Sequence, residues 1–138
     1  YKFGRSVTVP FPQKGFVSET PYQVIKGNKK MGLHTLCFLD VKVEEGEYMT
    51  VKDGLRALLA VEKQKRDGVV TPSTLVIGIA RAGSKDSVVR ADYVREIVDY
   101  DFGKSPHTII FPGKLHFMEA EALITLARAP ESIRRMIV

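Results

Sequence analysis

Arg81, Ser84 and Lys85 stand in the stretch VIGIARAGSKD (76–86), where an apolar run gives way to a turn of small residues. Turns of this kind can hold phosphate, because glycine-rich loops after a strand present backbone N–H groups to phosphate oxygens. Gly78 and Gly83 have the four-residue gap of a P-loop, which requires Lys and then Ser or Thr directly after the second glycine. Here Ser84 precedes Lys85, so the lysine is lost to the phosphates and the hydroxyl to the metal. Gly78 also falls inside the strand, and a nucleoside triphosphatase is set aside. Two readings of the turn stay open. Ala82 and Gly83 could let a flat ligand such as adenine approach the backbone N–H and C=O groups, or the turn is simply tight.

The other residues with chemical potential are few. His107 follows Pro106 at the start of an apolar run, which suits either a structural or a ligand-facing imidazole. His116 and Glu119 are three apart on an expected helix, but two ligands do not make a metal site and no third stands at suitable spacing. No metal is expected. His34 precedes a core strand and reads as a satisfied structural residue. Cys37 lies within an apolar run, where a thiol behaves as a small hydrophobe. No serine occupies a Gly-x-Ser-x-Gly elbow, and no triad is visible. The catalytic residues are unassigned.

These residues need elements to position them. The runs TLCFLDV (35–41), LVIGIA (75–80) and HTIIFP (107–112) are continuous and apolar, as in strands covered on both faces. SVTVP (6–10) reads as an outer strand and VVRAD (88–92) as a short further one. Thr20-Pro21-Tyr22-Gln23 predicts a capped helix ending near Gly32, and Thr50-Val51-Lys52-Asp53 opens another, with Gly68 past its end. Shorter helices are expected over 92–99 and over about 115–127, the latter with Phe117, Ala120, Ile124 and Ala127 on one face. The alternation implies an α/β fold with a mixed, largely parallel sheet flanked by helices. Ligands in such sheets sit beyond the carboxyl ends of the strands. That would gather Leu39-Asp40, Arg81 to Ser84 and Pro112 to Lys114 into one rim.

The totals set the outer limits. With 138 residues, 44% hydrophobic and 27% charged, the composition is that of one ordinary globular domain. No apolar run approaches the ~20 residues of a membrane helix, and no signal-peptide pattern is present. The net charge is +5, but Lys and Arg are spread along the chain. They read as solvated faces rather than a nucleic-acid groove. A single cysteine favours a reducing cytosol. The chain opens at Tyr1 without a methionine and almost at once enters a strand, which reads as the inside of a longer protein.

Several segments together carry a resemblance: PYQVIKGNKKMGLHTLCFLDVK (21–42), IARAGS (79–84), RADYVREIVDYDFG (90–103), PHTIIFPGKLHFMEAEAL (106–123) and ARAP (127–130). They closely resemble diphthine synthases, a family within the tetrapyrrole-methylase-like group. PGKLHFMEAEAL is the most specific of these, since related tetrapyrrole methylases generally lack that helix. The resemblance implies that residues 1–138 are the C-terminal domain of a two-domain S-adenosylmethionine-dependent methyltransferase whose N-terminal domain is not in this chain. It implies cofactor contacts at Leu39, Ala82 and His107, with S-adenosylhomocysteine as product, and places Arg81, Lys114 and His116 on the same rim without assigned roles. It further implies a cytoplasmic homodimer that acts on the modified histidine of translation elongation factor 2, with no membrane or direct nucleic-acid partner. Two alternatives share the fold: a corrin-type tetrapyrrole methyltransferase, and a non-catalytic module for dimerisation or substrate recognition.

Overall fold

The computed structural model describes residues 2–137. It contains seven strands and four α-helices: β1 (Val7–Val9), α1 (Thr20–Lys30), β2 (Thr35–Leu39), β3 (Val41–Lys42), β4 (Glu47–Tyr48), α2 (Val51–Lys65), β5 (Leu75–Ala80), β6 (Val88–Tyr93), α3 (Val94–Ile97), β7 (His107–Phe111) and α4 (Phe117–Ala127). A 3-10 turn at Glu131–Met136 follows α4. Five strands form one sheet in the order β1-β2-β7-β5-β6, and β3 and β4 pair with each other as a small hairpin.

The mixed α/β class holds, but the sheet is not largely parallel. Only β1 and β2 are parallel, joined by α1. β7 runs antiparallel to both its neighbours, β2 and β5, and β6 is antiparallel to β5. Continuous apolarity reports that both faces of a strand are covered and carries no information on direction. Here α1, α2 and α3 cover one face through Tyr22, Ile25, Leu55, Leu58 and Ile97, packed on Cys37, Val76, Ile109 and Phe111. On the other face α4 and the last turn bring Ala120, Ala127 and Ile133 against Leu75, Ile77 and Ala91. That second cover leaves part of the sheet open, and Phe38 is half exposed.

Helix starts follow local chemistry in three different ways. Thr50 caps α2 as its sequence suggests: its side chain accepts from the Asp53 N–H and the Asp53 carboxylate accepts from the Thr50 N–H. For α1 the expected capping box is absent. Glu19 takes the cap position without a side-chain bond, and Pro21 sits in the first turn. For α4 the cap is His116, paired reciprocally with Glu119. Phe117, placed inward by periodicity, is exposed, while Ala120 and Ala127 are buried. Among the described residues no helix is long and apolar enough to cross a membrane.

Candidate functional site

Strand direction decides what meets at the sheet ends. β2 and β5 point the same way, and β7 lies between them in the opposite sense. The carboxyl ends of β2 and β5 therefore flank the amino end of β7. In register, Ala80 pairs with His107 and Phe38 with Thr108, so Leu39 lies beside His107 on one side and the turn after Ala80 on the other. Leu39, Ala82 and His107 thus converge on one edge of the sheet. Leu39 and His107 are buried, and Ala82 is exposed.

The same reversal removes two residues that the sequence puts on this rim. Lys114 and His116 follow the carboxyl end of β7 and lie at the opposite end of the sheet. There Lys114 N–H donates to Gly32 O at 3.2 Å, and Gly113 N–H donates to His34 Nδ1 at 2.9 Å. The other His34 nitrogen lies 2.7 Å from Glu119 Oε2. Glu119 Oε1 accepts from the His116 N–H at 2.8 Å, and His116 Nδ1 accepts from the Met118 N–H at 3.1 Å. Burial pushes the Glu119 carboxyl upward, but the His116 N–H and His34 more than offset this and hold it below its ordinary range. Among the described residues no group of three or more His, Cys, Asp or Glu side chains could hold a metal ion.

At the convergent edge the His107 imidazole is fully engaged. Nδ1 accepts from the Val51 N–H at 3.2 Å, which leaves Nε2 to donate to Gly103 O at 3.0 Å. The ring is therefore neutral and tied to both the start of α2 and the segment before β7. A cleft of about 280 Å³ opens here, lined by Thr50, Val51, Tyr100, Asp101, Phe102 and His107. Gly78 belongs to its support. A Cβ at that position would come within 2.3 Å of the Phe102 ring, so glycine is what leaves room for Phe102 against β5. That accounts for Gly78 without phosphate. Cys37 is buried, and burial pushes its thiol up to about 12, which removes it from nucleophilic chemistry.

Sequence reading missed two elements of the edge. The hairpin β3–β4 leaves from Leu39 and returns at Met49, closed by Met49 N–H on Asp40 O at 2.9 Å. Asp40 anchors it, its carboxylate accepting from the N–H groups of Phe11 and Val41. The only signal was Glu44-Glu45-Gly46-Glu47, a polar tract with glycine in left-handed conformation. The second is the Tyr100 to Gly103 segment, whose Phe102 and Gly103 meet His107.

Fold and edge define a mixed α/β module with an open cleft of about 280 Å³ beside His107, at the sheet end where Leu39 and the Ala82 turn also lie. The sequence matches no family model. It is 46% identical over 138 residues to the diphthine synthase of Methanosarcina acetivorans, covering 96% of this chain and 51% of that protein. It is 50% identical over 127 residues to the diphthine synthase of Methanosphaera stadtmanae, with 92% and 48% covered. A crystal structure of diphthine synthase superposes with a TM-score of 0.85 at 38% identity, over 99% of this chain and 50% of that one. This chain is a homologue of diphthine synthases, and it spans about half the length of the curated relatives it matches.

Proposed function

We propose that this chain is the C-terminal domain of a diphthine synthase and forms one wall of an S-adenosylmethionine site. One observation carries the reading: β7 runs between β2 and β5 in the opposite sense, so the three residues that the resemblance names end on one edge. The edge also fits the group. Ala82, Gly83 and Ser84 are exposed, and nothing lies within 4 Å of a Cβ built on Gly83, so the backbone of Ala82 and Gly83 is open to a flat adenine, while Ser84 N–H closes the turn on Arg81 O at 3.0 Å.

When bound, S-adenosylmethionine supplies an electrophilic methyl group on a sulfonium. The residues of this chain bind and orient. Leu39 contributes backbone and apolar contact, Ala82 contributes a small side chain and open backbone groups, and His107 holds the start of α2 and the Tyr100–Gly103 segment in place. Methyl transfer to an amine is an in-line displacement that depends on alignment and exclusion of water, so no acid–base constellation is required here. The acceptor is the modified histidine of translation elongation factor 2. The protein works in the cytoplasm as a homodimer, and half-exposed Phe38 and exposed Met118 are what supports self-association.

Calorimetric titration with S-adenosylhomocysteine tests the half-site. The chain alone is expected to bind weakly or not at all, and to bind tightly once joined to the other half of a full-length protein. Tight binding or methyl transfer by this chain alone would contradict it.

A further inference from the structure

The turn that carries Ala82 and the segment that leads into His107 are separate pieces of chain, and one side chain joins them. Arg81 Nη1 donates to Phe102 O at 3.0 Å and to Lys104 O. Its Nε and Nη2 donate to Asp86 O at 3.2 and 3.0 Å, and Nε lies 3.0 Å from Asp86 Oδ2. The backbone of the same residue donates to Pro106 O at 2.8 Å. Among the described residues, every hydrogen bond between 81–87 and 98–106 comes from Arg81. The side chain is only 15% exposed although it stands at the rim. Gly103 makes room for it: a Cβ there would lie 3.3 Å from Arg81 Nη1.

The backbone of Arg81 is itself unusual, with φ at +51°, a left-handed conformation that a non-glycine residue keeps only where its surroundings hold it. Glycine is the residue that a turn alone would favour at this position. An arginine in its place points to a use for the guanidinium, and the fork is used on both sides. Planar guanidinium with fixed donor directions suits this bridging, whereas an ammonium is a point charge on a flexible stem.

We propose that Arg81 is a positioning residue for the cofactor: it locks the Ala82 turn to the 102–106 segment, so that both walls are set before ligand arrives. This rests on the S-adenosylmethionine reading above. It acts through Ala82 and His107 and touches no reacting atom.

Arg81→Gly removes the guanidinium while relaxing the backbone, so folding should be retained. In the full-length protein that carries this half, Arg81→Gly is expected to weaken S-adenosylhomocysteine binding about tenfold or more through lost preorganisation. KM for S-adenosylmethionine should rise with it, while kcat at saturation stays within about twofold. Arg81→Lys keeps the charge and should not restore affinity. Amide exchange at 102–107 should quicken in both variants, with or without ligand. Wild-type affinity in Arg81→Gly, or full rescue by Arg81→Lys, would overturn the proposal. If the unaltered protein does not bind S-adenosylhomocysteine, the cofactor reading itself falls. Exchange at 102–107 then still decides whether Arg81 orders the rim, and unchanged exchange would count against it.

Discussion

The two ends of the central sheet hold similar residues and use them differently. At the end with His34, Gly113, His116 and Glu119, both nitrogens of His34 and both oxygens of Glu119 have partners within the fold. The other end also contains a histidine with both nitrogens engaged, yet beside it the Ala82–Ser84 turn is exposed; clefts open at both ends, of about 280 Å³ beside His107 and about 210 Å³ beside His34 and Glu119. A histidine therefore does not set the proposed ligand end apart; the exposed backbone of Ala82 and Gly83 does.

That contrast can be broken from either side, and the expected effects fall in order. Gly78→Ala drives a methyl group into the Phe102 ring and should cost about 3 kcal/mol of stability by overpacking, measured by urea denaturation. His34→Ala leaves Gly113 N–H and the Glu119 carboxylate without their partner. It should cost about 2 kcal/mol and leave S-adenosylhomocysteine affinity of the full-length protein unchanged. His107→Ala should cost a similar or smaller amount, about 1–2 kcal/mol, yet weaken that affinity as well, since both of its struts border the rim. If the two histidine variants affected binding equally, the contrast between the ends would fail.

A pH titration sharpens the same point away from the rim. Glu62 sits near the end of α2 and is drawn up by burial. The N–H groups of Val70, Gly68 and Val69 and the Tyr22 hydroxyl more than offset this and hold its carboxyl below its ordinary value of 4.5. Glu119 is also held low. A carboxyl depressed in the folded state adds stability that is fully present above its unfolded value and is lost as pH falls through the folded one. Stability should therefore drop below about pH 4.5, and Glu62→Gln should flatten that drop in urea denaturation curves. An unchanged pH dependence would remove Glu62 from the account.

Much of this was legible in the chain. The apolar runs located the central strands, and Thr50 with Asp53 fixed the start of α2, because both signals act over a few residues. Strand direction was not legible. It depends on which strands pair, and a buried strand such as LVIGIA is apolar throughout whichever way its neighbours run. That one gap put Lys114 and His116 on the wrong edge. It did not disturb Leu39, Ala82 and His107, since two carboxyl ends and one amino end still meet there. The roles of Gly78 and Gly103 were hidden for another reason: each is set by a partner, Phe102 or Arg81, more than 20 residues away.

The most direct test of the rim follows backbone amide shifts of labelled chain in the full-length protein as S-adenosylhomocysteine is added. The expected result is a set of perturbations confined to Leu39, the Ala82–Ser84 turn, His107 and the start of α2, with the Gly113–Glu119 end silent. Perturbations centred on Gly113–Glu119, or none at Leu39, Ala82 and His107 under saturating ligand, would contradict the account.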